Sequence, residues 1–207
     1  EISKQYLNLG LYSASIETKV TPQERNRIAI DFYINEGSTA RIKEVKIIGV
    51  TKFDENDLLS RLDLKPTSFM SWWNKDDRYS RQILTGDLEK IRSFYMNRGY
   101  LDFDIENTTV SISETKKNVY IAIIIDEGDK YNFGDIRISG KFYPLKEELI
   151  FQNDIKTIKG EVFSRKLLNQ STELINKELG NYGYAFSNVN PIPDVDKDNL
   201  TVGFNYF

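Results

Sequence analysis

Acidic side chains at alternate positions are the first feature of this sequence that could do chemistry. Asp102, Asp104 and Glu106 occupy every second position in the stretch GYLDFDIENTTVSIS, so in a β-strand they lie on one face. A pair of carboxylates is what a glycoside hydrolase needs for acid and base catalysis. No apolar pocket pattern surrounds these side chains, however, so the sequence favours a solvated strand face over a catalytic pair.

The chain has no histidine and no cysteine among its 207 residues. It therefore lacks the commonest general base near neutral pH, thiol nucleophiles, disulfides and the ligands of most zinc sites. Glu36, Asp126, Glu127 and Asp129 offer carboxylate oxygens, but their spacing does not match a calcium loop, and solvated turn residues are favoured. We expect no catalytic residues, no cofactor and no bound metal.

Charge and hydropathy argue against two further classes of function. Twenty-eight basic and 31 acidic residues give a formal net charge of −3, and neither sign forms a block that could follow a phosphate backbone, so nucleic acid is not an expected partner. The longest apolar run, residues 119–125, is far shorter than the roughly 20 residues of a membrane-spanning helix. The opening EISKQYLNLG does not resemble a signal peptide, and we expect the chain to be a fragment.

The sequence repeats itself at two levels. INEGSTARIKEVKIIG, from Ile34, and IDEGDKYNFGDIRISG, from Ile125, are offset by 91 residues and share one broken alternation of apolar positions. A second motif occurs as LNLGLYSASI, MNRGYLDFDI and GNYGYAFSNV, around Gly10, Gly99 and Gly183. Each glycine follows apolar residues spaced by three, four or seven positions, which predicts an amphipathic helix ended by glycine in the left-handed conformation.

After each of these glycines come two strand-like segments joined by a short polar turn, which predicts a β-hairpin. One complete repeat therefore reads strand, short helix, long helix, strand, strand. We predict that the chain holds the C-terminal half of a first repeat (residues 1–37), a complete middle repeat (38–128) and a nearly complete third repeat (129–207).

This order of elements, with a helix-ending RGY or YGY, an EG dipeptide at each boundary and IxxVxIxG opening each repeat, resembles the POTRA domains of outer-membrane assembly proteins. TPQERNRIAIDFYINEG, SWWNKDD, GDLEKIRSFYMNRGYLDFDI and GNYGYAF are similar to the region from the second to the fourth POTRA domain of such a protein. The resemblance implies an α+β fold of tandem domains, each a three-stranded mixed sheet with two helices on one face.

The resemblance also implies a function without catalysis. It suggests the periplasmic portion of a bacterial outer-membrane protein, whose own C-terminal β-barrel lies in the outer membrane. Such a scaffold recruits a BamB-like propeller lipoprotein and other assembly-complex lipoproteins, and it binds unfolded outer-membrane protein clients. Related transporters, TamA-like or of the two-partner secretion type, stay open as alternatives. So does a cell-wall or carbohydrate-binding module, for which a large acidic cleft would be the sign.

The hairpin of the middle repeat contains the segment that we expect to bind partners. Residues 119–125 are almost continuously apolar, which is typical of a central strand, so the other strand of the hairpin lies at the sheet edge. Its apolar alternation changes phase between Ile105 and Val110, either because a β-bulge inserts a residue or because the strand ends there.

This edge is predicted to be unguarded in the middle repeat alone. In the equivalent strands, Glu17 and Lys19 protect the first repeat, and Pro191 and Pro193 blunt the third. The residues predicted to accept an added strand carry neither charge nor proline; they are Asn107, Thr108, Thr109, Val110, Ser111 and Ile112.

Two further segments of the middle repeat are candidates for contacts. The resemblance implies that the propeller partner also touches the helix residues Leu58, Leu59 and Arg61. Trp72 and Trp73 are open to two interpretations, a stacking platform for a ligand or partner and a cap on the core of their own domain, of which the cap is favoured.

Overall fold

The computed structural model describes residues 2–25, 27–67, 77–140, 155–184 and 186–207. Trp72 and Trp73 lie outside the described residues, and so does the stretch 141–154, where the short helix of the third repeat was expected. The chain divides into two compact units, Glu1–Lys90 with Ile105–Ile125 and Ile91–Asp104 with Asp126–Phe207. The division into repeats at residues 37 and 128 stays a prediction.

Within the described residues, the elements follow the predicted order. The helices are α1 (Ile2–Asn8), α2 (Glu55–Ser60), α3 (Arg81–Met96) and α4 (Arg165–Asn181). The strands are β1 (Ser15–Gln23), β2 (Arg27–Asn35), β3 (Arg41–Ile48), β4 (Asp104–Ile112), β5 (Asn118–Asp126), β6 (Asn132–Ile138), β7 (Pro191–Asp196) and β8 (Thr201–Tyr206). The middle repeat therefore reads β3, α2, α3, β4, β5.

The last strand of the middle repeat and that of the third repeat lie at the centre of their sheets. The strand orders are β3-β5-β4 and β6-β8-β7, with β3 parallel to β5 and β6 parallel to β8. β7 pairs with β8 in the antiparallel direction. In the first repeat the described residues form the antiparallel pair β1-β2. The α+β fold with three-stranded mixed sheets is confirmed.

The broken alternation shared by two repeats has a structural cause in their first strands. The register of β3 against β5 shifts between Ile42 and Glu44, and that of β6 against β8 shifts between Phe133 and Ile136. An irregularity of this kind turns the following residues to the other face. It returns Val45, only 6% exposed, to the buried face that Ile42 began.

Gly99, which follows α3, shows why the helix-ending glycines recur. Its φ is +106°, in the region that favours glycine. A Cβ atom here would lie 2.8 Å from Cγ of Lys130 and 3.0 Å from Cγ1 of Val162, so the packing also requires glycine. Gly10 and Gly183 have φ of +77° and +91°, so the predicted left-handed ends of all three helices are confirmed.

Tyr95 and Glu127 form a buried hydrogen bond near the end of the middle repeat. The Tyr95 hydroxyl donates to Oε1 of Glu127 over 2.8 Å, and the two residues are 0% and 5% exposed. The Tyr95 ring stacks on Phe103, with 4.3 Å between centroids. Burial, and then the bond to Glu127, raise the pKa of Tyr95 above its ordinary value. The tyrosine is therefore held as a neutral donor to the carboxylate.

We expect Tyr95→Phe to lower the free energy of unfolding by about 1–3 kcal/mol at neutral pH, because the buried hydrogen bond from the Tyr95 hydroxyl to Glu127 is lost. Since the folded state holds this proton more tightly, the contribution is complete below the ordinary tyrosine pKa of 10.0 and is lost as pH rises towards the raised value. Urea denaturation at neutral pH and about pH 11 should show a smaller alkaline loss in Tyr95→Phe than in wild type. Tyr33→Phe, at a 58% exposed tyrosine, is the control. Equal alkaline losses in wild type and Tyr95→Phe would contradict the assignment.

Candidate functional site

β4 is the outer strand of the middle sheet and is hydrogen-bonded on one side to β5. It contains all six residues predicted to accept a strand: Asn107, Thr108, Thr109, Val110, Ser111 and Ile112. Thr108 and Val110 are half-buried and Ile112 is 39% exposed, while the other three are exposed. The structure therefore brings these residues together along one rim.

The start of the hairpin fixes which backbone groups of β4 face outward. The Ser113 N–H donates to the Asn118 carbonyl over 2.9 Å, so residue 113 bonds towards β5. Along an antiparallel strand, successive residues alternate between bonding to the partner strand and pointing away from it. The outward N–H and C=O groups are consequently those of Thr108, Val110 and Ile112. Within the described part of the chain, no residue beyond the sheet forms a backbone hydrogen bond with them.

The opposite rim of the same sheet is sealed by the chain itself. The Ile42 N–H donates to the Asp77 carbonyl over 2.7 Å, and the Ile42 carbonyl accepts from the Thr67 N–H over 2.9 Å. Further along β3, the Ile47 N–H donates to the Glu55 carboxylate over 2.9 Å. A strand added to β3 would have to break these bonds, whereas a strand added to β4 would not.

The third repeat protects both rims of its sheet. On β6, the Phe133 N–H donates to the Glu161 carbonyl over 2.7 Å, as Ile42 does in the middle repeat. On β7, Asn190 and Phe207 exchange two backbone bonds of 2.9 and 3.1 Å, so residue 190 faces β8 and odd-numbered residues face outward. These outward positions hold Pro191 and Pro193, which have no N–H to offer.

The burial of β4 changes phase where the sequence pattern does. Ile105 is half-buried, Glu106 and Asn107 are both exposed, and Thr108 and Val110 are half-buried again. The strand continues through this change to Ile112, so the alternative that it ends here is wrong. The pattern fits an extra residue at positions 106–107, and the β-bulge itself stays a prediction.

The predicted partner contact of Leu58, Leu59 and Arg61 on α2 is wrong in part. Leu58 is 1% exposed, so its side chain belongs to the core and is not available to a partner. Leu59 is half-buried, and Arg61 is bound to Asp57 by an ion pair of 3.0 Å on the surface. Moreover, α2 packs against β3, which lies at the opposite edge of the sheet from β4. The structure does not bring this helix and the β4 rim together.

The alternating carboxylates have structural partners. Asp102 accepts from the Tyr131 hydroxyl over 2.9 Å, and Asp104 accepts from Arg92 over 3.3 Å, while Glu106 is exposed. Across the described ranges, no group of three or more acidic side chains could hold a metal ion. No described helix combines the length and apolar character needed to span a membrane.

A cavity of about 820 Å³ lies against β4 and was not predicted from the sequence. Its wall includes Thr108 and Val110 of β4, residues of α1 and α3, and the side chains of Tyr12 and Tyr79. The two tyrosine rings lie 6.2 Å apart between centroids. No periodic pattern connects residues 12 and 79, which come from different repeats, so the sequence offered no signal for this cavity.

Comparison with known proteins identifies the fold of these repeats. The family model POTRA, described as surface antigen variable number repeat, matches residues 1–37, 40–128 and 131–207. The outer membrane protein assembly factor BamA of Buchnera aphidicola is 30% identical over 203 residues, which are 97% of this chain and 32% of that protein. Its namesake from Neisseria meningitidis serogroup B is 29% identical over 205 residues, 98% of this chain and 25% of the relative. The chain thus spans about a third or less of these relatives.

Solved structures agree. The crystal structure of Haemophilus influenzae BamA POTRA3-5 matches with a TM-score of 0.62 at 19% identity, over 99% of this chain and 76% of that one. BamA from Haemophilus ducreyi lacking POTRA domains 1-3 also reaches 0.62 at 19% identity, over 80% of this chain and 28% of that one. Likeness at this identity establishes the fold, so the predicted position at the second to fourth domain stays a prediction.

The three matched stretches together cover nearly the whole chain. The second and third contain sheets with the same strand order and a register shift in the first strand, and in all three a glycine with positive φ follows a helix. The expected localisation is confirmed by the same relatives. The chain therefore belongs to the POTRA family and forms tandem POTRA domains in the periplasmic portion of a bacterial outer-membrane protein.

Proposed function

We propose that this chain is a non-catalytic scaffold for outer-membrane protein assembly, in which β4 of the middle repeat receives a strand from another polypeptide. The observation that carries the proposal is the contrast between the two rims of one sheet. Outward groups of Thr108, Val110 and Ile112 bond to no described residue beyond the sheet, whereas β3 is bonded to its own chain. The relatives that match this chain are named outer membrane protein assembly factor, which supports a role in outer-membrane protein assembly.

Strand addition to the backbone alone is weak. Three outward residues present three N–H and three C=O groups, which allow at most about six hydrogen bonds at about 1 kcal/mol each. Association costs about 4–15 kcal/mol, so such pairing barely offsets the loss of freedom and depends little on the guest sequence. This suits transient contact with unfolded outer-membrane protein clients.

Burial of side chains would make the same rim specific. Covering Val110 and Ile112 adds about 1.5–3 kcal/mol for each residue. That increment is large enough to hold a folded partner, and a BamB-like propeller lipoprotein is the partner that we propose. Leu59 and Arg61 are a separate and weaker candidate, because α2 lies over the other edge of the sheet.

The alternative of a carbohydrate-binding module predicted a large acidic cleft. The cavity beside β4 has the opposite character, because Lys4 and Arg81 line it and none of its described lining residues is acidic. This observation favours binding of a polypeptide at the rim.

The substitution Val110→Pro tests strand addition directly, because it removes an outward N–H without removing a bond to β5. The probe is a ten-residue, C-terminally amidated peptide of alternating valine and glutamine, followed by chemical-shift changes of backbone amides. We expect at least roughly tenfold weaker binding, since one backbone bond and one buried side chain, together more than 1.4 kcal/mol, are lost.

Val110→Thr is the matched control, since it keeps the β-branched shape and the N–H, and it should bind within about twofold of wild type. Circular dichroism verifies that both variants fold. Unchanged peptide affinity in Val110→Pro, or shift changes confined to other strands, would refute strand addition at β4.

A further inference from the structure

The cavity beside β4 lies where alternate side chains of an added strand would point. Thr108 and Val110 form its β4 wall, and Leu84 and Leu88 of α3 also line it. These two β4 residues are half-buried, whereas Asn107, Thr109 and Ser111 on the other face are exposed. Because side chains of a β-strand alternate between the two faces, every second residue of a guest strand on β4 would lie on the face of Thr108 and Val110, and those beside these two residues would face the cavity.

Tyr79 is a buried donor whose hydroxyl lacks a partner among the described residues. The residue is 7% exposed, yet its hydroxyl forms no hydrogen bond within the described part of the chain. The Tyr12 hydroxyl, on the neighbouring ring, also bonds to no described residue. Burial raises the pKa of Tyr12 to about 12 and also raises that of Tyr79, so both hydroxyls keep their protons at neutral pH. A hydroxyl that borders a cavity and has no acceptor among the described residues can donate to an acceptor on a ligand that enters the cavity.

Two cations complete the lining. Lys4 of α1 and Arg81 of α3 are exposed to the cavity, and neither is paired with an acidic residue in the described ranges. Arg81 lies close enough to Tyr79 for its charge to act on the hydroxyl. The described lining thus offers two hydroxyl donors and two cations and contains no carboxylate. It is complementary to a carboxylate, which accepts several hydrogen bonds and pairs with cations.

We infer that this cavity receives the side-chain carboxylate of a glutamate or aspartate on a strand added to β4. The inference rests on the proposed function, because the guest backbone must first pair with this rim. A side chain is favoured over a chain terminus, since Thr108 and Val110 lie within β4 and a guest strand would run past the cavity in both directions. The β4 rim would thus select acidic guest segments.

Two amidated ten-residue peptides of alternating valine and glutamine test this inference, one with glutamate in place of a central glutamine. We expect the glutamate peptide to bind wild type about tenfold more tightly in the same shift titration. Tyr79→Phe and the pair Lys4→Gln and Arg81→Gln should reduce this preference to below about twofold while leaving the affinity for the glutamine peptide unchanged. Lys65→Gln, at an exposed lysine outside the cavity, should keep the preference.

Equal binding of both peptides to wild type would overturn the inference and leave strand addition standing, whereas failure of both peptides to shift β4 would overturn the proposed function itself. A third peptide, with central glutamine and a free C-terminus, separates the two sources of carboxylate. If its affinity exceeds that of the amidated glutamine peptide by as much as the affinity of the glutamate peptide does, the side-chain assignment is wrong.

Discussion

Replacing Val110 and Ile112 together by aspartate should abolish binding of a folded partner to the middle repeat and leave the far-ultraviolet circular dichroism unchanged. Both side chains lie on the outward-bonding positions of β4, and Ile112 is already 39% exposed, so the fold does not depend on burying it. The partner loses about 1.5–3 kcal/mol of burial at each position and must also desolvate two charges. The loss corresponds to roughly 100-fold or more in affinity.

A pulldown with a purified BamB-like propeller lipoprotein measures this effect. The third repeat provides a control, because Val195 lies at an outward position of its own outer strand and is 41% exposed. Val195→Asp makes the same kind of change on the strand that holds Pro191 and Pro193, where outward donors are missing. We expect that control to bind like wild type. If the β4 variant still retains the partner, the β4 rim is not the docking site.

The largest effect on stability is expected at Asp87 of α3. This residue is 0% exposed, and its carboxylate accepts from the backbone N–H groups of Asp63 and Leu64 over 2.9 Å. The Lys90 ammonium completes the cluster with a contact of 2.9 Å. Asp87 thus ties the segment after α2 to the long helix through one buried charge.

Asp87→Ala should lower the free energy of unfolding by about 3–5 kcal/mol, because two backbone donors and a cation lose a buried acceptor at once. Urea denaturation followed by circular dichroism measures the loss. Glu114→Ala, at an exposed residue of the β4–β5 turn, is the control and should change stability by less than about 0.5 kcal/mol. A loss below about 1 kcal/mol in Asp87→Ala would show that the buried contacts contribute little.

Local patterns were sufficient to predict the helix ends and the order of the strands in the middle and third sheets. Apolar spacing before Gly10, Gly99 and Gly183 predicted helices that end in the left-handed conformation, because both periodicity and glycine act over a few residues. The continuous apolar run in β5 predicted its central place, and Pro191 and Pro193 predicted an edge. Each of these signals lies within one helix or strand, so it can be recognised in the sequence without knowledge of distant contacts.

What depends on distant contacts was not predictable. Residues 12 and 79 meet because two repeats pack together, and nothing near either tyrosine records the other. Leu58 was placed on the surface wrongly, since a helix of six residues is too short for its periodicity to define a buried face. Asp87 did leave a signal: it lies three residues after Leu84 and four before Ile91, within the apolar stripe of α3, where an acidic residue needs a partner.

Because the outer edge of β3 is hydrogen-bonded to its own chain, the middle sheet can accept an added strand only at β4. A sheet that offered both rims could join copy after copy into an endless ribbon, which is how edge-to-edge aggregation grows. With β3 bonded to its own chain, two copies that meet rim to rim form a closed pair with no further template. The middle domain can therefore expose unpaired backbone N–H and C=O groups to unfolded chains at high local concentration without itself nucleating a fibre.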